Sequence, residues 1–287
     1  SQVNARFGFV EQNYLPEGEI YFAVLPGASA EETQRLVQRL SVDPDVLLAE
    51  LSPVYSAAED VVTSTPSHES THLNANRTAD FVGDGLKGIA AEDAWARIEA
   101  TGGVPGRGVV IGFIDSGIAS SLADFRSRIA YSIDARIAPP NGTRDPTDRN
   151  NHGTAVASLL VANRDGQGVV GVAYGARVVS IKVFSSETGT SEDFIRGLKF
   201  AYDFRDIIDV LNISMSNSRF STVHREWIDK LIGAGVLVIG AGGNPLKNGT
   251  SWTSCQQVVH PAKYGPVLAV GGHRSQDDNP YPGTCLG

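Results

Sequence analysis

The chain has 287 residues, 41% of them hydrophobic and 20% charged, which is enough to bury a large core and to hold one large domain beside a small one. A net charge of -8 at pH 7 argues against nucleic acid or an anionic membrane as a partner, and no apolar run is long enough to cross a bilayer. A globular protein remains.

Residues 1–57 read as a small α+β unit. The segment Ile20 to Leu25 alternates as a strand does, Ala30 to Leu40 has a helical period with Leu36, Val37 and Leu40 on one side, and Asp45 to Leu51 is strand-like again. Residues 58–85 are rich in Ser, Thr, Asn, Asp and Glu with few large apolar groups, the composition of an exposed, cleavable linker. Within it His68, Glu69 and His72 fit the spacing of a zinc peptidase motif, which requires both histidines on one face of a helix. The surrounding Pro66, Ser67, Ser70 and Thr71 supply no buried helical stripe, so the pattern is read as a coincidence.

The main domain, residues 86–287, opens with a short helix from Ile89 to Ile98 and then alternates. Strands are predicted at 109–114, 176–183, 208–213, 235–241 and 267–271, with helices at 152–162, 191–204 and 223–233. Such alternation indicates βαβ units, hence an α/β fold with a doubly wound, mostly parallel sheet.

The run from Val109 to Ile114 suits a strand covered on both faces, and it ends in Asp115, Ser116 and Gly117. A carboxylate is thereby set at the edge of an open α/β sheet where ligands and catalysis are found, although an isolated Asp-Ser-Gly is more commonly an ordinary turn. Thirty-seven residues later His152 starts a helical segment, with Asn150 and Asn151 to cap or turn before it and Gly153 to keep the backbone slim. An Asp at a strand end and a His at a helix start make a candidate pair, the carboxylate orienting an imidazole general base. Gly235 to Asn244 is an apolar strand closing in Ala241, Gly242, Gly243 and one amide, Asn244, which suits donation to an oxyanion beside a backbone open to close approach. Leu211 to Asn217 is a strand whose end offers Ser214, Met215 and Ser216 as a substrate-binding edge. Only two cysteines occur, Cys255 and Cys285, and an even pair in a turn-rich region fits one disulfide in an oxidising compartment, with a reduced cytosolic pair as the alternative.

In combination, IDSGI, HGTAVAS, ISMS and AGGN, in that order and at these separations, resemble the subtilisin-like serine peptidases over roughly Gly88 to Gly287. The resemblance implies an endopeptidase in which Asp115 orients His152, His152 is the general base and Asn244 donates to the oxyanion. It implies a polypeptide substrate gripped along Ser214 to Ser216 and Ala241 to Gly243, and an exported, extracellular or periplasmic protein. It also implies that residues 1–57 are an inhibitory propeptide, a partner supplied by the protein itself. The loop Ala162 to Val169 is similar to the family's calcium loop, with Asp124, Asp165 and the carbonyls of Asn163, Gln167 and Val169 as oxygen ligands.

One element departs from the pattern. The family's nucleophile lies in a Gly-Thr-Ser motif opening a long helix after the strand that ends in Gly272, and no such motif follows here. Ser251 in Gly249-Thr250-Ser251 precedes that strand, and Cys285 in Gly283-Thr284-Cys285 has no helix behind it. The expectation is that a further C-terminal segment or a second chain carries the serine. The alternative is a non-catalytic peptide-binding scaffold of the same fold.

Overall fold

A computed structural model of the chain describes residues 7, 9–15, 20–24, 27–52, 54–57, 80, 82, 84–136, 144–185, 188–217, 219–243, 247–248, 251–252 and 258–272. The chain divides into two compact units, Ser1–Pro53 and Val54–Gly287.

In the first unit β1 (Val10–Leu15) and β2 (Ile20–Val24) form an antiparallel pair with an irregularity between Glu11 and Asn13, followed by helix α1 (Ala30–Leu40). The helix begins where Ser29 and Glu32 cap each other reciprocally: the Glu32 N–H donates to Ser29 Oγ at 3.2 Å, and the Ser29 N–H donates to Glu32 Oε2 at 2.7 Å. Leu36 and Leu40 form its buried side. The strand expected at Asp45 to Leu51 does not form. Asp43 captures the Asp45 N–H through its side chain and the Val46 N–H through its carbonyl, so a turn takes donors that a ladder needs, and Leu47 is left fully exposed.

The second unit contains, in order, β3 (Val54–Ala57), α2 (Asp84–Gly88), α3 (Ala91–Glu99), β4 (Val110–Asp115), β5 (Ile129–Asp134), α4 (His152–Val161), β6 (Arg177–Lys182), β7 (Thr188–Thr190), α5 (Ser191–Asp203), β8 (Val210–Ile213), β9 (Met215–Ser216), α6 (Thr222–Gly233), β10 (Leu237–Ala241), β11 (Lys247–Asn248), β12 (Ser251–Trp252) and β13 (Leu268–Val270). Six of these strands make one parallel sheet in the order β13-β10-β8-β4-β6-β5. The α/β doubly wound, mostly parallel architecture read from the alternation is the one present. After β6 the chain crosses to the other side of β4, so the winding reverses beside that strand and opens a crevice at its carboxyl end. Register brings the strand ends level: Asp115 pairs with Lys182, Lys182 with Asp134, and Ile213 with both Ile114 and Gly240.

Both faces of the central strand are covered. Ile111 and Phe113 pack with Phe125, Ala157, Val161 and Val178, whereas Ile114 faces α5 from the opposite side. A Cβ on Gly197 of α5 would press on Val183 and Ile114, so the missing side chain lets that helix settle close to the sheet. Phe113, Ile114, Phe194 and Leu198 are fully buried, and burying each such side chain contributes roughly 1.5–3 kcal/mol. Trp95 on α3 is tied down separately, its indole N–H donating to the Val172 carbonyl at 2.8 Å with its ring edge against Tyr174. Among the described residues no helix is long and apolar enough to cross a membrane.

Beside the main sheet β3 lies between β7 and β9, antiparallel to both. Tyr55 pairs with Gly189, Ser56 with Thr188 and Ser216, and Ala57 with Met215. The edge expected to take an extended peptide therefore holds a strand of the chain itself.

Candidate active site

Asp115 is delivered to the sheet edge by the apolar run of β4, and it is wholly buried there. His152 arrives from the first turn of α4. Its Nδ1 lies 2.8 Å from Asp115 Oδ1, with both side chains shielded from solvent, and the Ser116 N–H donates to the same oxygen at 2.7 Å. The Phe184 ring stands 6.5 Å away and tilted, forming an apolar wall near the imidazole.

Two glycines make this approach possible. A Cβ on Gly153 would overlap the Gly117 carbonyl oxygen and come within 3.0 Å of Asp115 Oδ1; one on Gly117, at φ +107°, would overlap the Pro146 carbonyl.

The start of α4 has an unusual support. Asn151 sits in the left-handed region at φ 74° and gives no side-chain cap, so the first-turn N–H groups find acceptors elsewhere. His152 N–H donates to Asn150 Oδ1 at 3.2 Å, Gly153 N–H to Ser116 Oγ at 2.9 Å and Thr154 N–H to Asp148 Oδ2 at 2.8 Å. Sequence reasoning placed Asn150 and Asn151 correctly as turn residues but missed Asp148, Ser116 and Thr154. A buried carboxylate hub looks like any turn Asp until its partners are known.

The residues predicted as a substrate edge follow β8, the strand beside β4. Ser214, Met215 and Ser216 continue from β8, where Ser214 Oγ accepts from Asn212 Nδ2 at 2.9 Å. Met215 is fully buried, so at that position the edge offers backbone rather than side chain. Ala241, Gly242 and Gly243 close β10 one strand away; the Gly242 N–H donates to the Val270 carbonyl, and Gly243 at φ +100° has Val259 where a Cβ would go. Asn244, Cys255, Cys285, His68 and His72 lie outside the described residues. Ser251 is described: it opens the two-residue strand β12 of a hairpin with β11, not a helix.

The loop after α4 places part of the other predicted group around Asp124. Asn163 N–H donates to the Asp124 carbonyl at 2.8 Å, and Gly168 is pressed against the Asp124 carboxylate, where a Cβ would collide with it. Burial first, then repulsion from Asp165 and Asp80, raises the Asp124 carboxyl above its ordinary range against a Val169 N–H that lowers it. Asp80, which the sequence did not single out, accepts from the Gly166 N–H at 2.7 Å. Among the described residues no three His, Cys, Asp or Glu side chains converge as a complete ligand set. The oxygen-only chemistry, the slim glycine cradle and the repulsion that Asp165 and Asp80 exert on Asp124 suit a hard cation that also draws on backbone carbonyls.

Several Bacillus proteins are similar to this chain. The chain is 35% identical to subtilisin DY of Bacillus licheniformis over 170 residues, covering 59% of this chain and 58% of that protein. It is 30% identical to subtilisin E of Bacillus subtilis (strain 168) over 257 residues, covering 89% and 58%. It is also 29% identical to the major intracellular serine protease of the same organism over 192 residues, covering 66% and 56%. The chain thus spans less than two thirds of the length of each. The model of the subtilase family matches residues 106–284, more than half of the chain, and the chain belongs to the subtilase family.

Proposed function

We propose that this protein is a serine endopeptidase that cleaves polypeptides by acyl transfer, with its serine on a segment outside these 287 residues, either a continuation or a second polypeptide. The observation that carries the reading is the buried contact of 2.8 Å between His152 Nδ1 and Asp115 Oδ1 at the carboxyl end of β4 in the parallel sheet. In that arrangement the Nδ1–H donates to Asp115, which fixes the tautomer and leaves Nε2 to take the serine proton and return it to the leaving amine. Asn244 donates to the oxyanion, and the backbone of Ser214 to Ser216 with Ala241 to Gly243 aligns the substrate. A segment that opens with the nucleophile and continues as an apolar helix would cover β13, whose Leu268 and Val270 are 52% and 50% exposed.

Residues 1–57 are read as the inhibitory propeptide, since the segment 54–57 already pairs with Met215 and Ser216 of the proposed substrate edge. Calcium would be held by the carboxylates of Asp124 and Asp165 and the carbonyls of Asn163, Gln167 and Val169, where it would neutralise the repelling charges and tie the loop down. A Cys255–Cys285 disulfide and an exported location complete the reading.

The strand-accepting edge equally favours a second reading, a scaffold that grips peptides without chemistry. Treating the natural protein with a serine-directed fluorophosphonate, followed by intact-mass analysis, separates the two. Stoichiometric labelling at a serine is expected; a well-folded natural protein that stays unlabelled and lacks peptide hydrolysis would leave the scaffold.

A further inference from the structure

The hydrogen bonds around Asp148 converge on both halves of the Asp115–His152 pair. Oδ1 accepts from Ser116 Oγ at 2.9 Å, from the Asn150 N–H at 2.8 Å and from the Asn151 N–H at 3.0 Å. Oδ2 accepts from the Thr154 N–H at 2.8 Å and from Thr154 Oγ1 at 2.6 Å. The partners extend the tie in both directions. Ser116 Oγ takes the Gly153 N–H, Thr154 Oγ1 takes the Ala119 N–H at 3.1 Å, and the Asp148 N–H itself donates to the Ile118 carbonyl. Ser116 to Ala119 belong to the loop that leaves Asp115, whereas Asn150 to Thr154 carry His152.

Asp148 is 8% exposed, and five donors on one carboxylate are more than a turn needs. Burial pushes its carboxyl up, but the hydrogen bonds from Thr154, Asn150 and Ser116 outweigh it and hold the group below the usual range, so it is anionic at neutral pH. An anion at the start of α4 also meets the positive end of the helix dipole, which adds to its hold on that terminus.

We propose that Asp148 is a positioning residue for the peptidase reaction: it clamps the first turn of α4 to the loop after β4 and so sets the distance between His152 Nδ1 and Asp115 Oδ1. The inference rests on the peptidase reading for its kinetic consequence but not for its geometry. A misplacement of about 1 Å costs on the order of a hundredfold in rate. Removing the clamp therefore lowers kcat by about that factor with KM nearly unchanged, because β9 and the Gly242–Gly243 edge are not touched.

Asp148→Asn keeps the shape and removes the charge and half of the acceptor capacity. Its kcat and KM are to be measured on the active natural protein. The downfield proton resonance of the His152 imidazole N–H shared with Asp115 is to be followed by NMR in the 287-residue chain, which needs no turnover. The expected result is a kcat reduced by about a hundredfold and an imidazole signal shifted upfield or broadened in a variant that remains folded by circular dichroism. If Asp148→Asn does not fold, Ser116→Ala and Thr154→Val each remove a single arm, and both are expected to move the same resonance to a smaller degree. An unchanged resonance and kcat in folded variants would overturn the proposal. A shifted resonance in a natural protein that shows no turnover at all would overturn the peptidase reading and leave the clamp standing.

Discussion

Gly117 and Gly153 meet face to face beneath the Asp115–His152 contact, so close that a methyl group on Gly153 would overlap the Gly117 carbonyl oxygen. Neither neighbour can yield: the obstacle is backbone, and Gly117 already occupies φ +107°. We expect Gly153→Ala to lower stability by roughly 1–3 kcal/mol through overpacking, and to push the start of α4 away from β4. Urea unfolding measures the first effect and the imidazole N–H resonance the second. Wild-type values for both would mean that the backbone relaxes more easily than this contact implies.

A different histidine contributes to loss of stability in acid. His224 is wholly buried, with Nε2 2.7 Å from Ser191 Oγ and its ring edge-on to Phe194, and burial pushes its pKa down to about 3. In the unfolded chain the same group titrates near 6.5. Between those values the unfolded state binds a proton that the folded state refuses, so stability is complete above about 6.5 and declines as the pH falls toward 3. The loss should reach several kcal/mol at the acid end. His224→Phe removes the titration. Its unfolding free energy should start lower at pH 7 and fall less steeply on acidification than that of the wild type; parallel slopes would reject the assignment.

What the sequence disclosed depended on how many signals coincided at each place. Asp115 was legible because an apolar run stops abruptly at a charge, and His152 because glycine and small residues follow it. Strand β5 escaped notice, since its Tyr131 is 52% exposed and its half-covered edge position breaks the apolar pattern that marked β4. The opposite error occurred at Leu47 and Leu48, apolar residues that suggested a strand but lie exposed just after a turn. Asp80 could not have been chosen from sequence, because its donor Gly166 lies 86 positions away, and Asp148 looks like an ordinary turn residue until the Ser116 hydroxyl, 32 positions away, joins its local donors.

The carboxylates around the loop after α4 predict a dependence on cation. Asp124 lies against Gly168, within reach of repulsion from Asp165 and Asp80, an arrangement that costs stability unless the charge is neutralised. A chelator should therefore lower the melting temperature of the wild type, and added calcium should restore it. Asp124→Asn relieves part of the repulsion and removes a ligand, so its melting temperature should respond far less to either treatment. Equal responses of the two proteins would mean that the loop does not bind the ion.

The last prediction concerns β3, which lies between two strands, so that each N–H along it points at one neighbour or the other. Ser56 pairs with Thr188 on one side and Ser216 on the other, and it is the one residue of β3 that spans both partners. Proline there deletes a ladder donor and brings a ring against the neighbouring chain, which a central strand does not tolerate. Each lost hydrogen bond is worth about 0.5–1.5 kcal/mol, and a strand of four residues has few to lose. Ser56→Pro should release the segment as a whole. Hydrogen exchange would then quicken at Thr188–Thr190 and Met215–Ser216 while the amides of β4, β6 and β8 keep their protection. On the proposed reading of residues 1–57 as an inhibitory propeptide, the same substitution in an active natural protein should raise the initial rate of peptide hydrolysis while that segment is still attached. Unchanged exchange at β7 and β9 would show that β3 is held by something other than its ladder. Faster exchange with no gain in hydrolysis would show that this strand does not compete with substrate.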